Sequence, residues 1–388
     1  MKGNNFFMPH AYSYHPDHLD SLPGTDDCVD LQDLYLNFNP ERPQERFRAA
    51  GFKAALIPEA AARLPAAVPW PNGKAPQATP LAMPPAEADD LSRFRGYDAV
   101  VVTWTAAEAA ALAALFTPGF RTLDWYEYRH HVSAYLPLIT GQRAPFNDAR
   151  TEMARSYHSL GLYFPCQIGP AKVLVFKSGL HLQCDGPATP VRLLMDEIAS
   201  AVRPKVFITT GAGAAIGPEV APGDVIIGGL TRFCCTAQFK KEPWKFASYP
   251  TSTVPARALA AITPALTTIN AAKVPHARPV PKIWSLPTDE VVTTDFMGCD
   301  DTTNRHELRG LGRVCDTSDA MVGQALQTYP SLKWFAIRSA CIPQMANPYQ
   351  DIAAVDQAAA VMYARYGAIT TAASAIACWA VIDAIANP

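Results

Sequence analysis

The sequence predicts an α/β fold in which helices cover both faces of a mixed sheet. Short apolar runs rich in β-branched residues alternate with longer helical segments from Tyr97 onward. Strands that alternate with helices are typical of a largely parallel sheet, because each parallel connection needs a crossover segment. The chain has 388 residues, of which 49% are hydrophobic, and this is enough to bury a large core.

Six strands are predicted from short apolar runs bounded by glycine, proline or charged residues. They lie at 98–103, 172–177, 205–210, 225–228, 282–286 and 333–338. In open α/β sheets, ligands bind beyond the carboxyl ends of the strands. The turns after Thr103, Gly179, Thr210 and Arg338 are therefore the predicted positions of a site.

Four helices are predicted between and after these strands, at 106–116, 190–202, 319–328 and from 351 to the end of the chain. The last contains the alanine-rich stretch 369–385, which is the most apolar part of the sequence. That stretch is short for a membrane span and contains Asp383, so it is predicted to be a buried core helix.

The first 95 residues differ from the rest in composition. Proline and alanine are frequent, above all between 65 and 85, where the prolines exclude a helix or a central strand. One short helical pattern occurs at 43–64. We expect residues 1–95 to form a partly irregular accessory arm and residues 96–388 to form the catalytic domain.

Charge and composition exclude several function classes. The net charge of -2 provides no basic field for nucleic acid or for an anionic membrane, so a small-molecule ligand is expected. The start of the chain lacks the apolar core of a signal peptide, which favours a cytoplasmic protein. The nine cysteines are scattered without metal-ligand spacing, so neither a metal nor a cofactor is expected.

The most informative segment is the 22-residue string from Val206 to Ile227, VFITTGAGAAIGPEVAPGDVII. It resembles the central motif of the nucleoside phosphorylase and nucleosidase superfamily, which is a strand, a Thr-Gly-rich turn and a hairpin ending in Gly-Asp-Val. Gly211 and Gly213 let backbone approach a ligand closely because they lack a Cβ. Gly223 and Asp224 form the turn that returns the chain to the sheet.

Four further segments resemble that superfamily in the same order along the chain. They are 100–108 (VVVTWTAAE), 175–180 (VFKSGL), 314–323 (VCDTSDAMVG) and 334–344 (WFAIRSACIPQ). Together the segments extend from residue 100 to residue 344. The resemblance implies the fold of the superfamily, a nucleoside-like substrate and a homo-oligomer, either a dimer, a trimer or a hexamer.

The resemblance also implies a reaction, the cleavage of an N-glycosidic bond through an oxocarbenium-like transition state. Glu108 then positions the attacking water, and Arg338 pairs with Glu108 or Asp316 near the reacting centre. Each residue has a simpler interpretation. Glu108 is a surface glutamate that opens a helix, Asp316 is a helix-capping residue type, and Arg338 suits a structural ion pair.

The same resemblance implies a set of substrate contacts in the motif turns and the last strand. These are Gly179, His181, Thr210, Gly211, Ala212, Phe296, Thr317, Ser318, Asp319, Ile342 and Gln344. Phe296 is either a base-stacking ring or a core residue. His181 is either a group that titrates near neutral pH or a structural loop histidine.

Two positions depart from the superfamily pattern. Ser318 stands where a glutamate usually grips the ribose hydroxyls, and Asp316 or Asp319 takes that role if the helix start is shifted. Ile342 stands where an aspartate usually faces the leaving base, and isoleucine donates no proton. His181, Cys341 and Gln344 are the candidate substitutes for this acid.

Phosphorolysis is disfavoured by the sequence. The arginine and hydroxyl residue that hold phosphate in the phosphorylases are replaced by Thr209 and Ala212, and a phosphate dianion is poorly held without a guanidinium. The expected function is therefore a nucleosidase-like hydrolase that uses water. The alternatives are a repurposed enzyme acting on a non-nucleoside substrate of a biosynthetic pathway, and a binding protein without activity.

Overall fold

The fold was analysed in a computed structural model, which describes residues 68–140, 159–182, 188–269, 274–296 and 298–386, together with Pro40. The helical pattern predicted at 43–64 lies outside these residues. One sheet organises the described chain, and the predicted class, a mixed sheet with helices on both faces, is confirmed.

The sheet contains thirteen strands in the part of the chain that the structure describes. In chain order they are β1 Gln77–Ala78, β2 Ala99–Thr103, β3 Tyr126–Tyr128, β4 Gly161–Ile168, β5 Ala171–Ser178, β6 Val206–Ala215, β7 Val225–Gly228, β8 Leu230–Cys234, β9 Ser248–Pro250, β10 Ile283–Trp284, β11 Glu290–Thr294, β12 Val314–Asp316 and β13 Lys333–Ile342. All six predicted strands are present, with ends that differ by a few residues.

Six α-helices accompany the sheet within the described ranges. They are α1 Ala106–Phe116, α2 Val132–Thr140, α3 Pro190–Val202, α4 Ala256–Ile269, α5 Asp319–Leu326 and α6 Ile352–Ala386. The predicted bounds of α1 and α3 agree with the structure, whereas α5 ends two residues earlier than predicted. Helices α2 and α4 were not predicted, and each contains an internal proline, Pro137 or Pro264, that obscures its helical pattern.

The centre of the sheet is parallel. Strand β5 pairs with β2, β2 with β6, and β6 with β13, all in parallel register. Antiparallel strands surround this centre, for example β4 beside β5 and β7 beside β13. Four carboxyl ends therefore meet at one edge of the sheet, as the sequence predicted.

Alternate side chains of the central strands point to opposite faces, and each face has its own hydrophobic core. On β6, Phe207 packs into the cluster that includes α3 and α5, whereas Val206 and Ile208 pack into the cluster that includes α1, α4 and α6. Two buried faces explain why the central strands are continuous apolar runs rather than alternating ones.

Helix α6 lies in the core. Its segment Ala354–Ala386 is long and apolar enough to cross a membrane, but 89% of its most apolar window is buried inside the protein. It packs on α1, α4, β6 and β13. The prediction of a buried core helix at 369–385 is confirmed.

The described part of the N-terminal segment contacts the sheet and the last helix. Strand β1 pairs with β4, the ring of Trp70 lies 5.3 Å from that of Trp379, and Lys74 forms an ion pair with Asp383. Leu91 and Phe94 of a short 3₁₀ turn are buried in the core. The boundary at residue 95 remains a prediction.

Candidate active site

Two predicted turns at the parallel edge are strand in the structure. Strand β6 continues to Ala215 and β13 continues to Ile342, so the predictions of turns after Thr210 and Arg338 are wrong. Gly211 pairs with Arg338 across the two strands, and Ala215 pairs with Val314 on the other side. These backbone hydrogen bonds outweigh the weak strand preference of the glycine-rich segment.

Arg338 lies at the centre of the edge, 3% exposed, and joins three carboxylates. Its Nε and Nη2 donate to the two oxygens of Asp319 at 2.8 and 2.5 Å, and Nη2 also donates to Asp316 at 2.9 Å. Its Nη1 lies 3.5 Å from Oε1 of Glu108. Burial alone lowers the pKa of Arg338, but the surrounding carboxylates raise it above its ordinary range. The predicted pairing with Glu108 or Asp316 occurs with both.

Glu108 is held by the start of α1. Thr105 caps the helix and forms a capping box with Glu108, whose Oε2 accepts hydrogen bonds from the Thr103 hydroxyl and the amides of Trp104 and Thr105. Its Oε1 accepts from the amide of Ala212 at 2.9 Å. Glu108 is 2% exposed, so the alternative of a surface glutamate is wrong. The carboxylate is fixed in orientation, with Oε1 the less crowded oxygen.

Asp316 ends β12 and organises the start of α5. Its Oδ1 accepts from the Thr293 hydroxyl at 2.7 Å, and its Oδ2 accepts from the amides of Ser318 and Asp319 at 2.9 Å. Asp316 therefore combines capping with the ion pair to Arg338. Burial, and then the neighbouring charge of Asp319, raise its pKa to about 7, although Arg338 and Thr293 act in the opposite direction.

Ser318 keeps a free hydroxyl in this network. It is fully buried, and its Oγ has no hydrogen-bond partner in the described chain. Both oxygens of Asp319 are held by Arg338, and Thr317 is half-buried beside them. Among the predicted ribose contacts at this helix start, Ser318 thus has a buried hydroxyl with unused hydrogen-bonding capacity.

Lys177 and His181 border the site on β5 and the turn that follows it. Burial lowers the pKa of Lys177 to about 8, while the charge of Glu108 acts in the opposite direction. Burial, and then the charge of Lys177, lower the pKa of His181 to about 3. A pKa this low keeps the ring of His181 neutral at pH 7, which disfavours the alternative in which it titrates near neutral pH. Gly179 between them donates its amide to the carbonyl of Leu160.

Neither ring nitrogen of His181 has a hydrogen-bond partner among the described residues, although the side chain is 2% exposed. The indole nitrogen of Trp104 is equally buried and equally unpartnered within those ranges, and its ring lies 4.9 Å from the guanidinium carbon of Arg338. Buried polar atoms without partners are rare in native proteins, and ligand sites are one place where they occur.

Lys177 and Trp104 were not predicted as site residues. Each had a signal in the sequence, since a lysine ends an otherwise apolar strand and a tryptophan stands between a strand and a Thr-x-x-Glu capping pattern. A buried lysine is costly unless a carboxylate lies nearby. A lysine in a buried strand therefore predicts a carboxylate near Lys177, but the sequence does not show which carboxylate this is.

Gly211 is required by the carboxylate network. A Cβ at this position would lie 2.0 Å from Oε1 of Glu108 and 2.8 Å from Nη1 of Arg338, and the residue has a φ of +153°. The sequence predicted that this glycine leaves room for a ligand. In the structure the room is filled by Glu108 and Arg338, and a ligand contact at Gly211 remains a prediction.

An apolar cluster lies beside the carboxylates. Ile342, at the position of the absent acid, packs in one cluster with Ala212, Phe296 and Cys234. The ring of Phe296 stacks on that of His306 with centroids 4.6 Å apart, so one of its faces is occupied. The surroundings of Ile342 are therefore apolar, whereas a base contact at Ile342 and stacking of Phe296 on a base remain predictions.

The structure does not bring two of the predicted contacts to Arg338. Gln344 donates from Nε2 to Asp300 at 2.7 Å, in a separate polar cluster where Asp300 also accepts the amide of Gly217. Thr210 lies beside Cys378 of α6, because it points to the face of the sheet opposite Gly211 and Arg338. The sequence predicted a turn after Thr210, but the segment is strand, so its side chains alternate between the two faces of the sheet. The sequence alone therefore did not show that these side chains lie away from Arg338.

Only one of the three candidate substitutes for the missing acid has free capacity in the described structure. Gln344 is bonded to Asp300, and Cys341 is buried beside Thr370 of α6, where burial raises the pKa of its thiol to about 12. His181 retains two free ring nitrogens. Its neutral ring donates a hydrogen bond through one nitrogen but does not act as a charged acid.

Asp295, which precedes Phe296, has a framework role. Its carboxylate accepts hydrogen bonds from the amides of Thr236, Ala237 and Phe239, and so it fixes the loop after β8. This loop carries the segment 233–244, whose aromatic residues pack together in the core.

Comparison with known proteins gives matches at the level of solved structures. No protein-family profile matches the chain, and no curated protein matches its sequence. The 5'-methylthioadenosine/S-adenosylhomocysteine nucleosidase of Helicobacter pylori matches with a TM-score of 0.47 and 11% identity, over 75% of this chain and 99% of its own. The corresponding Neisseria meningitidis enzyme matches with a TM-score of 0.44 and 11% identity, over 74% and 100%.

Futalosine hydrolase of Helicobacter pylori also matches, with a TM-score of 0.46 and 11% identity, over 74% of this chain and 98% of its own. The three matched proteins are two nucleosidases and one hydrolase.

Proposed function

We propose that the protein hydrolyses the N-glycosidic bond of a nucleoside-like small molecule, with water as the nucleophile. The observation that carries the proposal is the buried network in which Glu108, Asp316 and Asp319 converge on Arg338. It lies at the parallel edge of the sheet, where ligands of such folds bind, and beside the unpartnered polar atoms of Ser318 and His181.

The charge of the network suits a cationic transition state. Glu108, Asp316 and Asp319 supply up to three negative charges, whereas Arg338 and Lys177 supply two positive ones. In a water-excluded site such fixed charge stabilises the positive sugar that forms as the glycosidic bond breaks. Arg338 holds the carboxylates in place, so no reorganisation is needed at the moment of reaction.

Water is favoured over phosphate by the same contacts. Among the described residues, Arg338 supplies the guanidinium group at this edge, and its nitrogens already contact three carboxylates. Thr209 and Ala212 stand at the phosphate-binding positions of the resembled phosphorylases. A phosphate dianion brought here would meet a negative excess, because the three carboxylates outnumber the two cations, Arg338 and Lys177. Oε1 of Glu108, the less crowded oxygen, is the proposed acceptor that orients the water.

The aglycone would lie against Ile342 and the apolar cluster. The neutral ring of His181 is the proposed hydrogen-bond donor to the leaving group, because its nitrogens are free. A site of this kind favours a heterocycle that leaves with little need for a proton, since removing a general acid costs about 10²–10⁴ in rate. We further propose that the protein is a cytoplasmic homo-oligomer.

A second candidate function is catalysis on a non-nucleoside substrate by the same fold. It is favoured by one observation, the apolar cluster at Ile342, where a purine nucleosidase needs an acid. In that case the carboxylates around Arg338 would be mainly structural.

The test is incubation of the full-length protein with purine, pyrimidine and pyridinium nucleosides, with and without phosphate, and chromatography of the released base. We expect release without phosphate, fastest for the pyridinium nucleoside, whose base departs as a neutral molecule. Arg338→Lys should abolish it, whereas Glu87→Gln, an exposed carboxylate away from the edge, should not.

Three outcomes would contradict the proposal. A strict phosphate requirement would replace hydrolysis by phosphorolysis. Saturable nucleoside binding without base release would indicate a binding protein. If the nucleosides show no binding and no base release, the result would favour a non-nucleoside substrate.

A further inference from the structure

A second cluster of potential ligand side chains lies away from the sheet edge. His130 and His131 occupy the turn between β3 and α2, and Glu197 projects from α3. One ligand atom from each of the three lies within 4.8 Å of the others, and Nδ1 of His131 lies 3.8 Å from Oε2 of Glu197. Two imidazoles and a carboxylate are a donor set that suits zinc and similar divalent metals.

From this arrangement we propose that His130, His131 and Glu197 bind a divalent transition-metal ion, with zinc as the reference metal. In a tetrahedral zinc site with bonds of about 2.0–2.1 Å, neighbouring ligand atoms are about 3.3 Å apart. The side chains would therefore have to approach one another by about 1.5 Å at most. His131 is 59% exposed and Glu197 is 21% exposed, so both have room to rotate and water has room to complete the coordination.

The contacts around the cluster are those that orient metal ligands. Nδ1 of His130 lies 2.9 Å from the carbonyl oxygen of Ala88. A carbonyl only accepts, so Nδ1 carries the proton and Nε2 of the neutral ring presents its lone pair. Metal-binding histidines characteristically make such a bond from the nitrogen that does not bind the metal.

Glu197 is oriented in the same way. The hydroxyl of Tyr128 donates to its Oε1, and the hydroxyl of Tyr135 donates to its Oε2 at 3.0 Å. Each oxygen keeps a further lone pair for a metal ion.

The two histidine rings lie unusually close together. Their centroids are 3.6 Å apart with an interplanar angle of 35°. This spacing, with Glu197 beside them, keeps both imidazoles within reach of one ion. His131 also has a φ of +59°, a left-handed conformation that is uncommon for histidine.

The test is a calorimetric titration of zinc into the full chain in which His10, His15 and His18 are replaced by alanine, because these N-terminal histidines are an alternative metal site. We expect one zinc ion per chain. His131→Gln and Glu197→Gln should each weaken binding at least tenfold. Tyr135→Phe, which removes an orienting contact, should weaken it about tenfold.

His276→Gln is the matched control, since His276 is also exposed and also has a positive φ, +62°, but has no place in the cluster. It should leave zinc affinity unchanged. Zinc should raise the melting temperature of the background protein, which is the chain without His10, His15 and His18. It should not raise the melting temperature when His131→Gln is added to that background. The proposal is overturned if the background protein binds no zinc. It is also overturned if neither His131→Gln nor Glu197→Gln weakens the binding of zinc.

Discussion

At the scale of single residues, Glu108 serves the helix and the site with the same carboxylate. Its Oε2 closes the capping box of α1, and its Oε1 faces Ala212 and Arg338. The sequence pattern Thr-x-x-Glu predicts the first role, which depends on neighbours within three residues. The second role joins residues 230 positions apart, and no local pattern indicates it.

Glu108→Gln is expected to remove most activity and also to destabilise the fold. One end of the amide would place an N–H donor against another donor, either the amides at the start of α1 or Ala212 and Arg338. A buried polar group left without a partner costs about 1–3 kcal/mol. Urea denaturation and base-release assays on the same preparation check both effects. Full turnover in this variant would rule out the proposed role of Glu108 in orienting water.

At the scale of elements, the decisive segment is the extension of β6 through Gly211 and Gly213. A Cβ at Gly213 would lie 2.4 Å from the side chain of Val314, so this glycine allows β12 to pair closely with β6. The glycine-rich string looks like a turn in the sequence because glycine usually ends strands. Pairing on both sides makes it strand, and this places Asp316 beside Arg338.

Gly211→Ala is expected to disrupt the network around Arg338. The added methyl group would displace Glu108 and Arg338, and overpacking of this kind costs about 1–3 kcal/mol beyond the backbone strain. Gly310→Ala is the matched control, because Gly310 also has a positive φ, +85°, but has open space where the Cβ would lie. Its expected cost is only about 1–2 kcal/mol. Equal losses of unfolding free energy in the two variants would show that the close approach at Gly211 is unimportant.

At the scale of the whole molecule, the buried carboxylates make stability depend on pH. The folded-state pKa of Asp316 is raised to about 7, above its unfolded value. Between the two values the folded protein holds more protons than the unfolded chain, so the contribution of Asp316 to the unfolding free energy falls as pH rises. It is largest below the unfolded pKa and is lost by pH of about 7.

Asp316→Asn should therefore flatten the pH dependence of stability between about pH 4 and 7. The difference in slope from the parent protein is at most about 1.4 kcal/mol per pH unit. Urea denaturation at several pH values in this range measures it. Asp351→Asn, which changes an exposed aspartate before α6, serves as the control and should leave the slope unaltered. A parent-like slope in Asp316→Asn would contradict the raised pKa.

The last helix joins the two ends of the described chain. Trp379 is 1% exposed, its ring lies 5.3 Å from that of Trp70 at an interplanar angle of 48°, and its indole N–H donates to the carbonyl of Lys74 at 2.9 Å. Trp379→Ala should cost about 3–5 kcal/mol of unfolding free energy, as for other large core truncations. Trp70→Ala, at a half-buried position, should cost clearly less. Equal costs, measured by urea denaturation, would mean that the N-terminal contact contributes as much as the core.

The sequence by itself determined the alternation of strands and helices, the bounds of α1 and α3, the position of Glu108 at the start of α1 and the burial of α6. These features depend on periodicity and on neighbours a few residues apart. Strands β1, β3, β4, β8, β9, β11 and β12 escaped prediction. They are short, or interrupted by residues such as Pro165, and they are stabilised by pairing with distant strands.

Only the tertiary structure decided which side chains meet. Arg338 pairs with Asp316 and Asp319 across 22 and 19 residues and with Glu108 across 230. Gln344, two residues beyond Ile342, belongs to another cluster. Contacts of this kind follow from strand register and from which face a side chain occupies. A shift of one residue reverses the face, and local sequence patterns do not fix the register between distant strands.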